Sequence, residues 1–358
     1  MKYLTTLIAI LSFFSCLKED PLKKEYAGYK PLNIGDGWTV GSALKNQIDS
    51  NALNQVYRSI YEDDDLWQVK SISVFRNGEI VAESYLKDEL DRTQPQAVWS
   101  CTKQVMALLI GTLWDQEMLY MTDRAEQHLP IPFIGHRDKE AITIDNLLSM
   151  RSGISFDNDE HSDVFRKKEV KNSLEFVLGL DLNFYPGNEF NYNDGDPQIL
   201  SAVIQELTGR KTFVYADQVL FSKIGMTNYS WEEYVDGITL GGFGILTTPR
   251  ELAKIGQLVL NKGLWDSTQV ISEAWISDML TVKSPVLSLE NLDFGYYWWL
   301  NESKGYQFMW GHGGQFVFLI PEKNAMVVFS SLEQVEGGFE LTETKATEIV
   351  DRIVTTML

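Results

Sequence analysis

Ser100 and Lys103 are the pair of side chains best placed to do chemistry in this sequence. The serine follows a strand-like run over residues 96–99 and opens an apolar helix over residues 105–111. Residues three apart share one side of a helix, so the amine is expected beside the hydroxyl. Burial and the positive potential of a helix start disfavour an ammonium, so we expect Lys103 to be neutral and to accept the serine proton. The alternative is a capping serine with a buried but paired lysine.

The Ser-x-x-Lys spacing occurs three more times, so the spacing by itself carries little information. Ser15 lies in an N-terminal apolar segment. Ser84 ends a strand-like run, where alternation would send its lysine partner to the opposite face. Ser42 begins a predicted helix over residues 42–61 and is expected to cap it. The helix after Ser100 is instead apolar on nearly every face, so it is expected to be buried between two parts of the protein.

A turn rich in Asn, Asp, Gly and Pro spans residues 190–197 and precedes an apolar helix over residues 199–207. A structured loop at a helix start can project polar groups into a cleft. Tyr192 lies in this turn and is a candidate proton carrier. Because the chain has 15 tyrosines, a packed, structural Tyr192 remains open on this evidence.

His312 lies in a second glycine-rich turn, with the order Gly-His-Gly-Gly-Gln over residues 311–315, between two strand-like runs. Glycines let a backbone approach a ligand closely and present its N–H groups. The turn is therefore a candidate for ligand binding. A hairpin turn that carries a surface histidine explains the same residues equally well.

The composition excludes several classes of protein. The chain has 358 residues, 44% hydrophobic and 23% charged, which suffices for a large core and excludes a disordered or coiled-coil protein. With 31 Lys and Arg against 50 Asp and Glu, the net charge is −19, and an acidic surface repels nucleic acid. Only 2 Cys and 4 His are present, which excludes a disulfide framework and argues against a Cys/His zinc site.

Strand patterns at both ends of the chain enclose a helix-rich middle. A strong hairpin signal, Asn77-Gly78, joins the first two strand-like runs. The predicted strands cover residues 71–75, 79–85, 307–310, 315–320 and 325–331, and a final helix covers residues 340–357. These patterns predict an α+β fold in which one antiparallel sheet is built from distant segments. N- and C-terminal helices flank this sheet, and a helical subdomain is inserted.

We expect one domain over residues 41–358. Its α/β part would comprise residues 41–98 and 236–358, and its helical part residues 99–235. A cleft between two such parts is a usual place for a small-molecule site.

The first residues of the chain are predicted to be a targeting segment. The apolar run that ends at residue 15 is shorter than the roughly 20 residues needed to span a bilayer, and it predicts an export signal over residues 1–15. Ser15-Cys16 also fits a bacterial lipoprotein acylated on Cys16, and the alternative is a simple cleaved signal. Residues 16–40 are expected to be an extended tether. The protein is thus expected in the bacterial periplasm or on the outer membrane, with membrane contact only through that lipid.

Taken in order, the motifs at Ser100, Tyr192 and His312 resemble those of the serine β-lactamase and penicillin-binding superfamily. The sequence is most similar to its class C-like branch, which includes esterases, D-amino-acid peptidases and 6-aminohexanoate-dimer hydrolases. The resemblance extends from about residue 71 to residue 358. Further similar stretches cover residues 142–153, 220–226, 241–253 and 295–299.

The resemblance implies a β-lactamase-like fold and hydrolysis through an acyl-enzyme. Ser100 would attack a carbonyl with Lys103 as base, and Tyr192 would pass the proton to the leaving group and later help activate water. Backbone N–H groups of Ser100 and Gln315 would form the oxyanion hole. The substrate would be a small-molecule ester or amide or a peptide, and no metal or cofactor is needed.

Two departures from the family pattern concern the substrate. His312, Gly313 and Gly314 stand where β-lactamases usually carry Lys-Thr-Gly, so an imidazole replaces the fixed cation that would hold a carboxylate. Asp194 stands where the family usually has an Asn and, when ionised, can only accept hydrogen bonds. We expect these four residues to bind substrate. Both changes favour an esterase or amidase that acts on neutral or cationic acyl groups.

Other functions remain open on the sequence. One is a true β-lactamase or a D-Ala-type peptidase. A second is a penicillin- or peptidoglycan-binding module that is acylated without turnover, and a third is a purely scaffolding member of the superfamily. Trp298 and Trp299 are candidates for the acyl pocket, and core packing explains them equally well.

Overall fold

The computed structural model describes residues 23–286, 289, 291–333 and 341–358. The predicted signal over residues 1–15 and the lipidation site Cys16 lie outside the described residues and stay predictions. Within the described ranges, no helix is long and apolar enough to cross a membrane.

The described part of the chain has strands toward both ends and a run of α-helices between them. The strands are β1 (Thr39–Val40), β2 (Val69–Arg76), β3 (Glu79–Tyr85), β4 (Gln96–Ala97), β5 (Tyr229–Trp231), β6 (Ile245–Thr247), β7 (Leu264–Trp265), β8 (Thr268–Gln269), β9 (Ser284–Pro285), β10 (Asp293–Phe294), β11 (Trp299–Asn301), β12 (Tyr306–Gly311), β13 (Gln315–Ile320) and β14 (Ala325–Ser331). The α-helices are α1 (Ser50–Glu62), α2 (Cys101–Asp115), α3 (Ile144–Leu148), α4 (Asn158–Arg166), α5 (Ser173–Gly179), α6 (Gly195–Thr208), α7 (Thr212–Ala216), α8 (Pro249–Leu260), α9 (Glu273–Met279) and α10 (Glu343–Val354).

The largest sheet joins the two ends of the described chain. Its strand order is β1-β3-β2-β14-β13-β12-β11-β10-β9, and its neighbours are antiparallel except for the short parallel pair β1 and β3. Asn77 and Gly78 have φ values of 54° and 76°, which a two-residue hairpin turn requires, and they connect β2 to β3. Strand β2 then pairs with β14, with Val74 opposite Val327. The predicted antiparallel sheet of distant segments is confirmed.

Helices cover both faces of this sheet, and every residue of β13 and β14 is buried. On one face, the Tyr306 hydroxyl donates to Asp351 of α10 at 2.9 Å, and α1 packs beside α10. On the other face, Gly256 of α8 lies so close that an added Cβ would come within 2.8 Å of Val317 and 3.0 Å of Met326. The flanking N- and C-terminal helices are therefore present as predicted.

The helices α2 to α7 lie between β4 and β5 in the chain and form the inserted helical part. Residues 101–113 of α2 are all buried, because this helix packs against α6, α9 and β12. Helix α2 thus lies between the sheet and the inserted helices, which confirms the expectation from its apolar surface. The α+β fold is confirmed, whereas the predicted bounds of its two parts stay predictions.

The structure differs from the expected helix start near the N-terminus. Helix α1 begins at Ser50 rather than near Ser42, because the Asp49 carboxylate accepts hydrogen bonds from two N–H groups of its first turn, at 2.9 and 3.0 Å. Residues 23–38, inside the predicted tether, lie along the fold. The buried guanidinium of Arg250 holds them there, because it binds the Leu32 carbonyl at 2.7 Å and Asp36 at 3.0 Å.

Candidate active site

Ser100 immediately precedes the first turn of α2. Trp99, immediately before it, has a φ of 51°, a strained value for a non-glycine residue that turns the chain into the helix. The Ser100 side chain makes no capping hydrogen bond, and the Cys101 N–H instead donates to the Val98 carbonyl at 3.1 Å. The capping role that the sequence left open is therefore wrong.

The Lys103 amine is enclosed by three acceptors and has no solvent exposure. Its Nζ donates to Ser100 Oγ at 3.0 Å, to Asp194 Oδ1 at 2.5 Å and to the carbonyl of Gly242 at 2.9 Å. An ammonium group has three N–H donors, so each of them has one acceptor.

These contacts correct the expectation that Lys103 is neutral. Burial, the largest influence, lowers the pKa of Lys103, but the charges and hydrogen bonds of Asp194 and Tyr192 together raise the pKa above its ordinary value. A carboxylate 2.5 Å from the amine was not foreseen, because Asp194 lies 91 residues further along the chain. Lys103 is therefore an ammonium that donates to Ser100.

Tyr192 lies against the same pair. Its ring centroid is 4.8 Å from Lys103 Nζ, and its hydroxyl lies close enough to the side chains of Ser100 and Lys103 to interact with both. Burial raises the pKa of Tyr192, and although Lys103 opposes this effect, the pKa stays above its ordinary value. Tyr192 is thus a neutral phenol near pH 7, beside the serine hydroxyl.

Asp194 has both carboxylate oxygens engaged. Its Oδ1 binds Lys103, and its Oδ2 accepts a hydrogen bond from Ser162 Oγ at 2.5 Å. Its backbone N–H donates to Asn158 Oδ1 at 2.9 Å. The sequence predicts Asp194 as a substrate-binding residue, and the structure places it first of all as the counter-ion of Lys103.

The His312 turn connects β12 to β13 beside the start of α2. Gly311 lies so close to the chain before Ser100 that an added Cβ would be 2.2 Å from the Val98 carbonyl oxygen. Gly313 and Gly314 have φ values of 76° and 93°, which complete the turn. The turn therefore depends on glycines at the positions where the sequence has them.

Within this turn, His312 is exposed and its ring packs edge-on against Trp99, with centroids 5.5 Å apart. The backbone of Gln315 reaches the start of α2, where its carbonyl lies 3.5 Å from Cys101 Sγ. The Gln315 side chain points elsewhere and binds the Ser331 backbone. The backbone of Gln315 is thus the part of this residue that lies near the start of α2.

A cavity of about 560 Å³ opens above Ser100. Its walls are aromatic and apolar on most sides and polar along α4. The lining residues are Trp99, Ser100, Asn158, Asp159, Ser162, Asp163, Arg166, Phe190, Tyr192, Asp194, Phe243, Val286, Leu289, Trp299, Trp310 and His312. The cavity thus brings together four of the sequence-predicted site residues, Ser100, Tyr192, Asp194 and His312.

The two candidate tryptophans differ in position. Trp299 lines the cavity and packs against Tyr192, with ring centroids 5.6 Å apart, whereas Trp298 is completely buried in the core. Among the described residues, no group of three or more His, Cys, Asp or Glu side chains could hold a metal ion.

The profile of the Beta-lactamase family matches residues 69–349 of this chain. The chain belongs to the beta-lactamase family. This result confirms the family that the sequence resembles, and the similar proteins include enzymes named as a hydrolase and a carboxylesterase.

The chain is similar to proteins of different names and lengths. Protein flp of Staphylococcus aureus (strain NCTC 8325 / PS 47) is 26% identical over 172 residues, which cover 46% of this chain and 34% of flp. The 6-aminohexanoate-dimer hydrolase of Paenarthrobacter ureafaciens is 20% identical over 223 residues, which cover 58% of this chain and 56% of the hydrolase. A solved family VIII carboxylesterase has a TM-score of 0.67 at 17% identity, over 88% of this chain and 99% of the esterase. The chain spans only about a third of flp.

Two segments of the site in this beta-lactamase family member were not predicted from the sequence. Helix α4 supplies Asn158 and Ser162, and the loop before β6 supplies the Gly242 carbonyl, all in contact with Lys103 or Asp194. The glycine run over residues 241–244 was a signal for a close backbone approach. The sequence of α4 carries no comparable signal, because its role depends on which face meets Asp194.

Proposed function

We propose that this protein is a serine hydrolase that cleaves esters or amides through an acyl-enzyme on Ser100. The observation that carries this proposal is the contact of Ser100 Oγ with Lys103 Nζ at 3.0 Å, on the floor of a cavity that Tyr192 also lines. A nucleophile in contact with proton-carrying groups, under an open cavity, is the arrangement that acyl transfer requires.

In the acylation step, Ser100 Oγ forms a bond to the acyl carbon of the substrate. The serine proton passes to the oxygen of Tyr192, and the phenol proton passes to the leaving oxygen or nitrogen as its bond to the acyl carbon breaks. This relay leaves Tyr192 neutral throughout, which agrees with its raised pKa. Deacylation runs the relay in reverse, with water as the nucleophile and Ser100 as the leaving group.

Lys103 acts in this scheme as a cation rather than as the base. Its ammonium donates to Ser100 Oγ and stabilises negative charge as the proton departs. The backbone N–H groups of Ser100 and Gln315 are proposed to bind the oxyanion, and one such donor is typically worth ~3 kcal/mol of transition-state stabilisation.

The charges around the cavity support neutral or cationic acyl groups. The Arg166 guanidinium pairs with Asp163, and the Lys103 ammonium is committed to protein acceptors. Asp159 also lines the cavity and is exposed. An anionic substrate such as a β-lactam would therefore meet acidic side chains. The aromatic walls of the cavity suit a bulky acyl group.

Steady-state assays of p-nitrophenyl esters and short amides beside nitrocefin test this proposal, with Ser100→Ala as the control. We expect turnover of at least one ester or amide that exceeds turnover of nitrocefin and is lost in Ser100→Ala. Faster turnover of nitrocefin than of every ester would instead identify a β-lactamase. Stoichiometric labelling without product release would identify a binding module.

A further inference from the structure

Helix α4 meets the site through two polar side chains one turn apart. Ser162 Oγ donates to Asp194 Oδ2 at 2.5 Å, and Asn158 Oδ1 accepts from the Asp194 N–H at 2.9 Å. Asn158 Nδ2 also reaches the carbonyl of Tyr192 at 3.5 Å. The helix thus holds both ends of the segment that carries Tyr192 and Asp194.

We propose that Ser162, together with Asn158, is a positioning residue that fixes Asp194 against Lys103 and so keeps an ammonium beside Ser100. This inference rests on the proposed function, since it assigns a role to α4 in that same reaction. Ser162 touches neither Ser100 nor Lys103 in the described contacts, so it acts through Asp194.

The position of the Asp194 carboxylate needs such a support because Asp194 borders the open cavity. Each of its oxygens has one protein donor, Lys103 on Oδ1 and Ser162 on Oδ2. A carboxylate that loses a donor is drawn toward water, because an unpaired buried charge is costly. Without Ser162, Asp194 would turn toward the cavity. Burial would then lower the pKa of Lys103, because the opposing effect of the Asp194 carboxylate would be weaker.

Several titratable groups surround this carboxylate. Lys103 and Tyr192 lie on one side, and the buried Tyr297 interacts with it electrostatically. Asp159, Asp163 and Arg166 border the same cavity from α4, and His312 borders it from the β12–β13 turn. Ser162 is the hydroxyl on this wall that contacts Asp194, so its removal changes the pairing of Asp194 without removing any of these titratable groups.

The test compares Ser162→Ala and Ser162→Thr with the wild type, using p-nitrophenyl butyrate as the probe. Loss of a hydrogen bond to a charged group predicts a fall of about 10-fold to 100-fold in kcat/KM for Ser162→Ala, mostly in kcat. The decline of kcat/KM at alkaline pH should also begin at lower pH. Ser162→Thr keeps the hydroxyl and should restore most of both properties.

Ser173→Ala is the matched control. Ser173 is also buried and donates to a carboxylate, Asp236 Oδ2, at 2.7 Å, but it does not line the cavity. This variant should lose thermal stability at most, with an unchanged pH profile.

A double-mutant cycle with Asp194→Asn decides whether Ser162 acts through Asp194. In the Asp194→Asn background, Ser162→Ala should change kcat/KM by less than about twofold. An equal loss in both backgrounds, or a Ser162→Ala enzyme with wild-type kinetics, overturns the inference while leaving the proposed function intact. If the wild type hydrolyses no ester or amide, the proposed function fails, and NMR titration of the Lys103 side chain in wild type and Ser162→Ala still decides the positioning role.

Discussion

Lys103 Nζ and Asp194 Oδ1 lie 2.5 Å apart in a buried ion pair at the base of the cavity. The pair fixes the charge of the amine that contacts the candidate nucleophile, and a lysine at this position without a carboxylate partner would be neutralised by burial. The proton of Ser100 must therefore leave by another route, and Tyr192 is the neighbouring group that can carry it.

Asp194→Asn should change how activity depends on pH. In the wild type, Asp194 holds the pKa of Lys103 above its ordinary value, so loss of the ammonium should not lower kcat/KM below about pH 10. In the variant, burial prevails and the pKa of Lys103 falls, so kcat/KM should decline with rising pH inside the range from 6 to 10. The pH profile for a p-nitrophenyl ester measures this. Activity that rises with pH in the variant would show that Lys103 works as a neutral base.

Tyr192→Phe should abolish the proton relay while keeping the packing. The Phe ring can retain the contacts with Lys103 and Trp299, so thermal stability should change little. The loss of a positioned proton carrier predicts a fall in kcat of about 10²-fold to 10⁴-fold. Ester hydrolysis beside a thermal unfolding curve separates the two effects. Near wild-type kcat in a folded variant would remove Tyr192 from the mechanism.

Gly242→Ala should disturb Asp194 directly. An added Cβ would lie 2.8 Å from Asp194 Oδ1 and 2.9 Å from its Cβ, so the carboxylate would be displaced from Lys103. We expect a fall in kcat/KM of about tenfold or more, in line with the loss of a charged hydrogen bond. Gly179→Ala is the control, since an added Cβ there has nothing within 4 Å. Equal kinetics for the two variants would contradict this prediction.

Asp196→Asn should stabilise the protein at alkaline pH. Asp196 is completely buried, its Oδ1 accepts from Ser152 Oγ at 2.6 Å, and its Oδ2 has no hydrogen-bond partner among the described residues. Burial raises the pKa of Asp196 from 3.8 to about 7. The folded state therefore prefers the protonated acid, and its stability falls as pH rises from near 4 to near 7.

The neutral amide in Asp196→Asn does not ionise, so the variant does not lose stability in this way as the pH rises. The urea concentration at the midpoint of unfolding should be higher for the variant than for the wild type at pH 8.5, and this difference should be smaller at pH 4.5. A difference of the same size at both pH values would show that the effect is one of packing rather than of charge.

Local patterns in the sequence were enough to predict much of the fold. Asn77-Gly78 requires positive φ at both positions, so the hairpin of β2 and β3 follows from two adjacent residues. The apolar surface of α2 likewise predicted that this helix is buried. The predicted start of α1 was wrong because helical spacing of apolar residues already begins at residue 44. The helix itself begins only after its cap, Asp49.

The sequence by itself determined which residues could do the chemistry. A spacing of three on one helix brings Lys103 to Ser100, and the glycines around His312 are required by the turn they form. Only the tertiary structure decided the charge of that lysine, because Asp194 and Gly242 reach it from two distant segments of the chain and Ser162 contacts Asp194 from a third. Burial and a carboxylate partner act on an ammonium in opposite directions, and their balance depends on distances that no local pattern contains.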